Sequence, residues 1–94
     1  MNIICAEDDP DDRLITEEAF EECNMNGTLN FVENGEDLMR YLQRKGQYEN
    51  LRSTDLPDLI LLDLNMPKKD GKDCILEIKN DPLLKNIPIV VLTT

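Results

Sequence analysis

A layered α/β fold built on a parallel sheet is the class this sequence predicts, and three observations predict it. Uninterrupted apolar runs occur at Ile3-Ile4-Cys5-Ala6, Leu59-Ile60-Leu61-Leu62 and Ile89-Val90-Val91-Leu92, the pattern of short strands buried on both faces rather than on one. Segments with helical spacing and helix-start residues separate the runs. The resulting order, β-α-β-α-β-α-β, calls for parallel strands joined by right-handed crossovers. Ninety-four residues are enough for one such domain, near the lower limit for a sheet covered on both sides.

The first run, Asn2 to Ala6, ends in Glu7-Asp8-Asp9, a buried strand leading into an acidic loop. Asp9-Pro10 then reads as a helix start: Asp is a favoured N-cap, Pro suits the first helical position, and Asp11 and Asp12 suit the solvated positive end of the helix dipole. Ile15, Ala19 and Cys23 recur four apart, flanked by Leu14 and Phe20, which predicts a helix over about residues 10–24 with one apolar face. Asn26-Gly27 closes it. Leu29 to Val32 is a weaker strand, with Phe31 and Val32 as its β-formers, and Asn34-Gly35 turns into a second helix bearing Leu38, Met39, Tyr41 and Leu42. Gly46 is expected to end that helix. Residues 46–56 have no steady period and read as a loop longer than compact connections need.

The central run, Leu59 to Leu62, stops at Asp63 and is followed by Leu64-Asn65-Met66-Pro67. Lys68-Lys69-Asp70-Gly71 is a polar turn before a third helix, to about Asn80, with Cys74, Ile75 and Ile78 on one face; Asp81-Pro82 stops it. Pro88 to Leu92 is the last strand, and Thr93-Thr94 follow.

A lone Asp at a strand end reads more readily as a solvated turn starter than as a functional group. Its company changes the weighting. If the runs at 3–6, 59–62 and 89–92 lie side by side, their C-terminal ends bring Glu7, Asp8, Asp63 and Thr93 onto one rim, the edge where ligands gather in open α/β sheets. Clustered carboxylates repel unless a cation fills the site. Oxygen donors of this hardness select Mg²⁺ or Mn²⁺, and with a divalent ion there to screen the charge an Asp63 oxygen can act as nucleophile toward a phosphoryl group.

Composition narrows the rest. Twenty acidic against ten basic residues leave a formal charge of -10, which disfavours direct contact with nucleic acid or anionic membranes and favours divalent cations and basic protein surfaces. Cys5, Cys23 and Cys74 are an odd number without C-x-x-C spacing, so they are expected to be small core hydrophobes in a reducing cytosol. No basic-then-apolar leader follows Met1 and no apolar run has membrane-spanning length, so a cytoplasmic, soluble chain is expected.

Three stretches together, Ile3-Ile4-Cys5-Ala6-Glu7-Asp8-Asp9, Leu62-Asp63-Leu64-Asn65-Met66-Pro67-Lys68-Lys69-Asp70-Gly71 and Pro88-Ile89-Val90-Val91-Leu92-Thr93, resemble the response-regulator receiver domain of two-component signalling. The long loop at 46–56 and the Asn-Met-Pro-Lys-Lys-Asp-Gly run look most like the stand-alone receivers that accompany phytochrome-type histidine kinases. The resemblance implies a flavodoxin-like, doubly wound sheet of order 2-1-3-4, with residues 1–94 as one receiver domain. It implies that Asp63 takes a phosphoryl group from a phosphohistidine on a histidine kinase or phosphotransfer protein, so that the chain is a phosphoacceptor rather than an enzyme. Asp8 and Asp63 would bind Mg²⁺ directly, Glu7 through water and Asn65 through its backbone carbonyl, while Thr93 would be the switch hydroxyl and Pro67 and Gly71 would shape the adjacent turn.

One departure stands out against the family. Receivers have five strands and five helices, and this chain stops after the fourth strand, so the last strand, the last two helices and the lysine that contacts the phosphoryl group are absent from it. Lys68 and Lys69 lie in a different loop and are not assigned that role. The fourth strand then becomes an edge with apolar side chains on both faces, and pairing with a second copy, as a dimer or larger assembly, is expected unless the 94 residues are a piece of a longer protein that supplies the missing elements. Two other readings remain open: a receiver never phosphorylated that serves only as an interaction or dimerisation module, and a haloacid-dehalogenase-like phosphatase. The phosphatase family has a second Asp two residues after its nucleophile, where this chain has Asn65.

Overall fold

The computed structural model describes residues 1–23, 26–51 and 55–92. Four parallel strands, β1 (Asn2–Ala6), β2 (Thr28–Val32), β3 (Leu59–Asp63) and β4 (Ile89–Leu92), form one sheet in the order β2-β1-β3-β4. Three helices connect them: α1 (Pro10–Glu22), α2 (Gly35–Gln43) and α3 (Gly71–Lys79). This is the doubly wound order expected from the receiver resemblance. Register sets Ala6 against both Val32 and Leu62, and Asp63 against Leu92. The strands therefore finish level, and the residues that follow β1, β2 and β3 emerge on the same rim.

Each helix starts where its capping residue dictates. Asp9 accepts from the Asp11 N–H at 2.8 Å, Asn34 from the Asp37 N–H at 2.8 Å, and Asp70 from the Asp73 N–H at 2.9 Å, each satisfying a donor that the first turn leaves without a partner. Side chains of alternate strand residues, Ile4, Ala6, Ile60 and Leu62, meet Leu38, Met39 and Leu42 of α2 and Cys74 and Ile78 of α3 in a sealed core.

The opposite face is less closed, which corrects two expectations. The first helix has the apolar stripe the spacing predicts, but none of its residues is buried and Ile15 is 63% exposed. Cys23, expected in the core, is exposed at the cap of this helix, whereas Cys5 and Cys74 are buried. A groove of about 360 Å³ between α1 and the sheet, lined by Ile3, Ile15, Phe20, Leu59, Leu61 and Leu92 among others, accounts for both. Residues 24–25, where that helix was expected to finish, lie outside the described residues.

A third correction concerns the end of α2. The left-handed cap of the helix is Arg44 (φ 57°); Gly46, expected to end the helix, is also left-handed (φ 60°) but opens a 3-10 turn at Gly46–Tyr48. A non-glycine residue tolerates this conformation here because its side chain is held in place: Arg44 donates to Tyr41 O at 2.8 Å and Asp55 O at 2.7 Å, and its guanidinium stands 5.0 Å from the Tyr41 ring. The 3-10 turn docks through Tyr48, which donates to Asp37 Oδ2 at 2.9 Å and meets Tyr41 edge to face at 5.3 Å. The segment read from sequence as a plain loop thus begins as a packed element.

Candidate functional site

Glu7 is the residue after β1, Asp8 follows it, and Asp63 ends β3. Because Ala6 pairs with Leu62, the two strands release their acidic residues side by side. One carboxylate oxygen from each of Glu7, Asp8 and Asp63 lies within 4.8 Å of the others. Glu7 and Asp63 are only 2% and 3% exposed, while Asp8 faces solvent. The group is buried at its base and open at its mouth.

Main-chain bonds hold this arrangement. The Glu7 N–H donates to Val32 O at 3.0 Å, extending the β1–β2 ladder by one residue. Glu7 Oε2 accepts from the Asp9 N–H at 3.2 Å, and Asp63 Oδ1 accepts from the Asn65 N–H at 3.0 Å. On the far side of the loop, Arg13 Nε donates to the Glu7 carbonyl at 2.6 Å. Glycine is required where the β3–α3 turn closes: a Cβ on Gly71 would sit 2.8 Å from the Leu64 Cα and 3.0 Å from Asp63 O. Within that turn Lys68 takes a left-handed φ of 69°, and Lys69 pairs with Glu77 at 2.5 Å.

Electrostatics at the rim follow from packing acids together. Burial, joined by a hydrogen bond to Asp63 and by the charges of Asp63 and Asp12, pushes the Glu7 carboxyl up to about 7, against a partial offset from the Asp9 N–H. Asp12, expected on a solvated helix start, is half-buried and contributes to that rise. Burial likewise pushes the Cys5 thiol up to about 12 and the Cys74 thiol to about 11, so at neutral pH both are protonated and serve as apolar filler.

The donor set fits a hard divalent cation. It offers oxygen only, three carboxylates can approach one centre, and two of them are buried and, among the described residues, in no salt bridge, a combination that an Mg²⁺-like ion would relieve. Of the residues singled out in the sequence, Glu7, Asp8 and Asp63 converge, and Asn65 stands beside them with its N–H bonded to Asp63. Thr93 lies outside the described residues. Arg13 was missed; its signal was a lone cation closing the run Glu7-Asp8-Asp9-Pro10-Asp11-Asp12.

Comparison with known proteins agrees with this geometry. Residues 3–94 match the family described as response regulator receiver domain. The chain is 44% identical over 92 residues to the response regulator Rcp1 of Synechocystis sp., covering 98% of this chain and 60% of that protein. Among solved structures it is similar to the phosphorylated cyanobacterial phytochrome response regulator RcpA, with a TM-score of 0.88 at 44% identity, covering 98% of this chain and 64% of that one. It is also similar to the Mn²⁺-bound form of Rcp1, with a TM-score of 0.82 at 41% identity and the same coverage. The chain thus spans about 60% of the length of the curated relative it matches. Among the described residues, no helix is long and apolar enough to cross a membrane.

Proposed function

We propose, starting from the fact that this chain belongs to the response regulator receiver domain family, that Asp63 accepts a phosphoryl group from a phosphohistidine on a histidine kinase or phosphotransfer partner. The observation behind this is the convergence of Glu7, Asp8 and Asp63 at the ends of two adjacent strands. Similarity to a phosphorylated receiver and to an Mn²⁺-bound one supports it. Mg²⁺ would be held by Asp8 and Asp63, with Glu7 acting through water and Asn65 through its carbonyl. Bound there, it would neutralise the clustered charge and orient the phosphoryl oxygens.

The chain's own residues do the rest. The Asn65 N–H fixes Asp63 Oδ1, leaving the second oxygen to attack phosphorus. An O–P bond forms as the donor's N–P bond breaks, and the electron pair leaves with the imidazole nitrogen. Glu7 is deprotonated for this step, because a protonated Glu7 donates to Asp63 and would occupy the nucleophile. Thr93 is assigned the switch hydroxyl that bonds the new phosphoryl group. Under this reading residues 1–94 belong to one receiver domain that works in the cytoplasm as a phosphoacceptor rather than as an enzyme.

Intact-mass measurement after incubation with phosphoramidate and Mg²⁺ tests the proposal. Wild type should gain one phosphoryl group and Asp63→Asn none; equal gain by both, or none by wild type, contradicts it. The open groove beside α1 and the exposed Val90 and Val91 favour a second reading, an unphosphorylated module for protein interaction or dimerisation. An unmodified wild type in the same measurement would select it.

A further inference from the structure

We infer that Arg13 is a positioning residue for the acidic rim, fixing the Glu7 peptide and through it the directions in which the Glu7 and Asp8 carboxylates leave the chain. The inference rests on the Mg²⁺ site proposed above and adds a residue to it. β1 ends at Ala6 and its ladder at the Glu7 N–H, so the chain beyond that N–H is held by individual bonds. The Glu7 N–H reaches Val32 O at 3.0 Å, and the Glu7 carbonyl accepts from Arg13 Nε at 2.6 Å. The second bond is short and charge-assisted.

Arg13 is itself held from two sides. Its own N–H donates to Asp9 O at 3.0 Å in the first turn of α1, and its guanidinium carbon lies 5.5 Å from the centre of the Phe31 ring. Phe31 precedes Val32, the residue that receives the Glu7 N–H. A half-buried planar cation stacked on β2 thus ties the helix start to the strand end. The Glu7 carbonyl and the Asp8 N–H belong to one rigid peptide plane. Holding the carbonyl therefore sets the position of the Asp8 Cα, and rotation of that plane is the soft motion by which Asp8 could swing away while β1 stays intact.

Charge and positioning predict opposite signs. A guanidinium near a cation site repels the ion, so if its charge dominated, neutralising it would tighten Mg²⁺ binding. If it positions the loop, neutralising it weakens binding, as loss of outer partners of metal ligands does by about 10–100-fold.

Calorimetric titration of the full chain with Mg²⁺, after removal of bound ions with chelator, separates the two. Arg13→Gln should bind at least about tenfold more weakly than wild type. Arg13→Lys, which keeps the charge and one donor, should fall between them, and Phe31→Leu should show a smaller loss of the same sign. Arg13→Gln binding as tightly as wild type or more tightly overturns the inference. So does a metal-free wild type in which the Arg13 Nε–H proton exchanges freely with water, a readout that does not depend on any variant folding. A wild type that binds no Mg²⁺ would instead remove the proposed metal site on which this inference depends.

Discussion

Glu7 is the residue whose energetics say most about the rim. Its carboxyl is raised from 4.5 to about 7, first by burial, so the folded chain holds this proton more tightly than the unfolded chain does. The stability it contributes is full below about 4.5 and lost as pH rises through about 7. In chelator, the wild-type melting temperature should therefore fall across that window relative to Glu7→Gln. By pH 8 the variant should melt higher, by on the order of 5 °C. Excess Mg²⁺ should raise the wild type more than the variant, because binding to the native state stabilises it by mass action. Parallel melting curves for the two proteins at every pH, with chelator, would contradict this account of Glu7. The acids were legible in sequence because each ends or follows an apolar run, and a strand end is a place. Arg13 was not, because its role depends on how the first turn of α1 angles its side chain back toward Glu7, which no spacing rule encodes.

Elements were legible where caps and apolar runs coincide. Asp9-Pro10, Asn34-Gly35 and Asp70-Gly71 start the three helices at the expected residues. Their environments were less legible. Periodicity finds an apolar face on α1 but cannot say what covers it, and Arg44 shows that a side chain making two carbonyl bonds can take the place glycine was expected to fill. Gly35 is a further case. As the first residue of a helix it would ordinarily accept alanine with a gain. Here an added Cβ would meet Lys69 O at 2.0 Å and the Lys69 Cβ at 2.8 Å, because the β3–α3 turn rests directly on the start of α2. Gly35→Ala should destabilise the chain by about 1–3 kcal/mol in urea unfolding. An unchanged midpoint would mean that the turn can retreat without cost.

For the whole molecule, the parallel sheet follows from the order of apolar runs, whereas the spatial order β2-β1-β3-β4 came only with the receiver resemblance, since a list of strands does not say which are neighbours. Burial divides the molecule in two. The α2–α3 face is sealed, while the α1 face keeps a groove, and β4 forms an edge of the 94-residue chain with Val90 and Val91 47% and 38% exposed. All these features matter to function only if separate stretches of chain meet around one ion, and Mg²⁺ titration of two variants tests that point most directly. Asp8→Ala should lose at least about tenfold in affinity, no less than is lost with outer partners alone, while Asp11→Ala, an exposed acid in the same run, should bind close to wild type. Equal losses at both positions, or none at Asp8, would contradict the account.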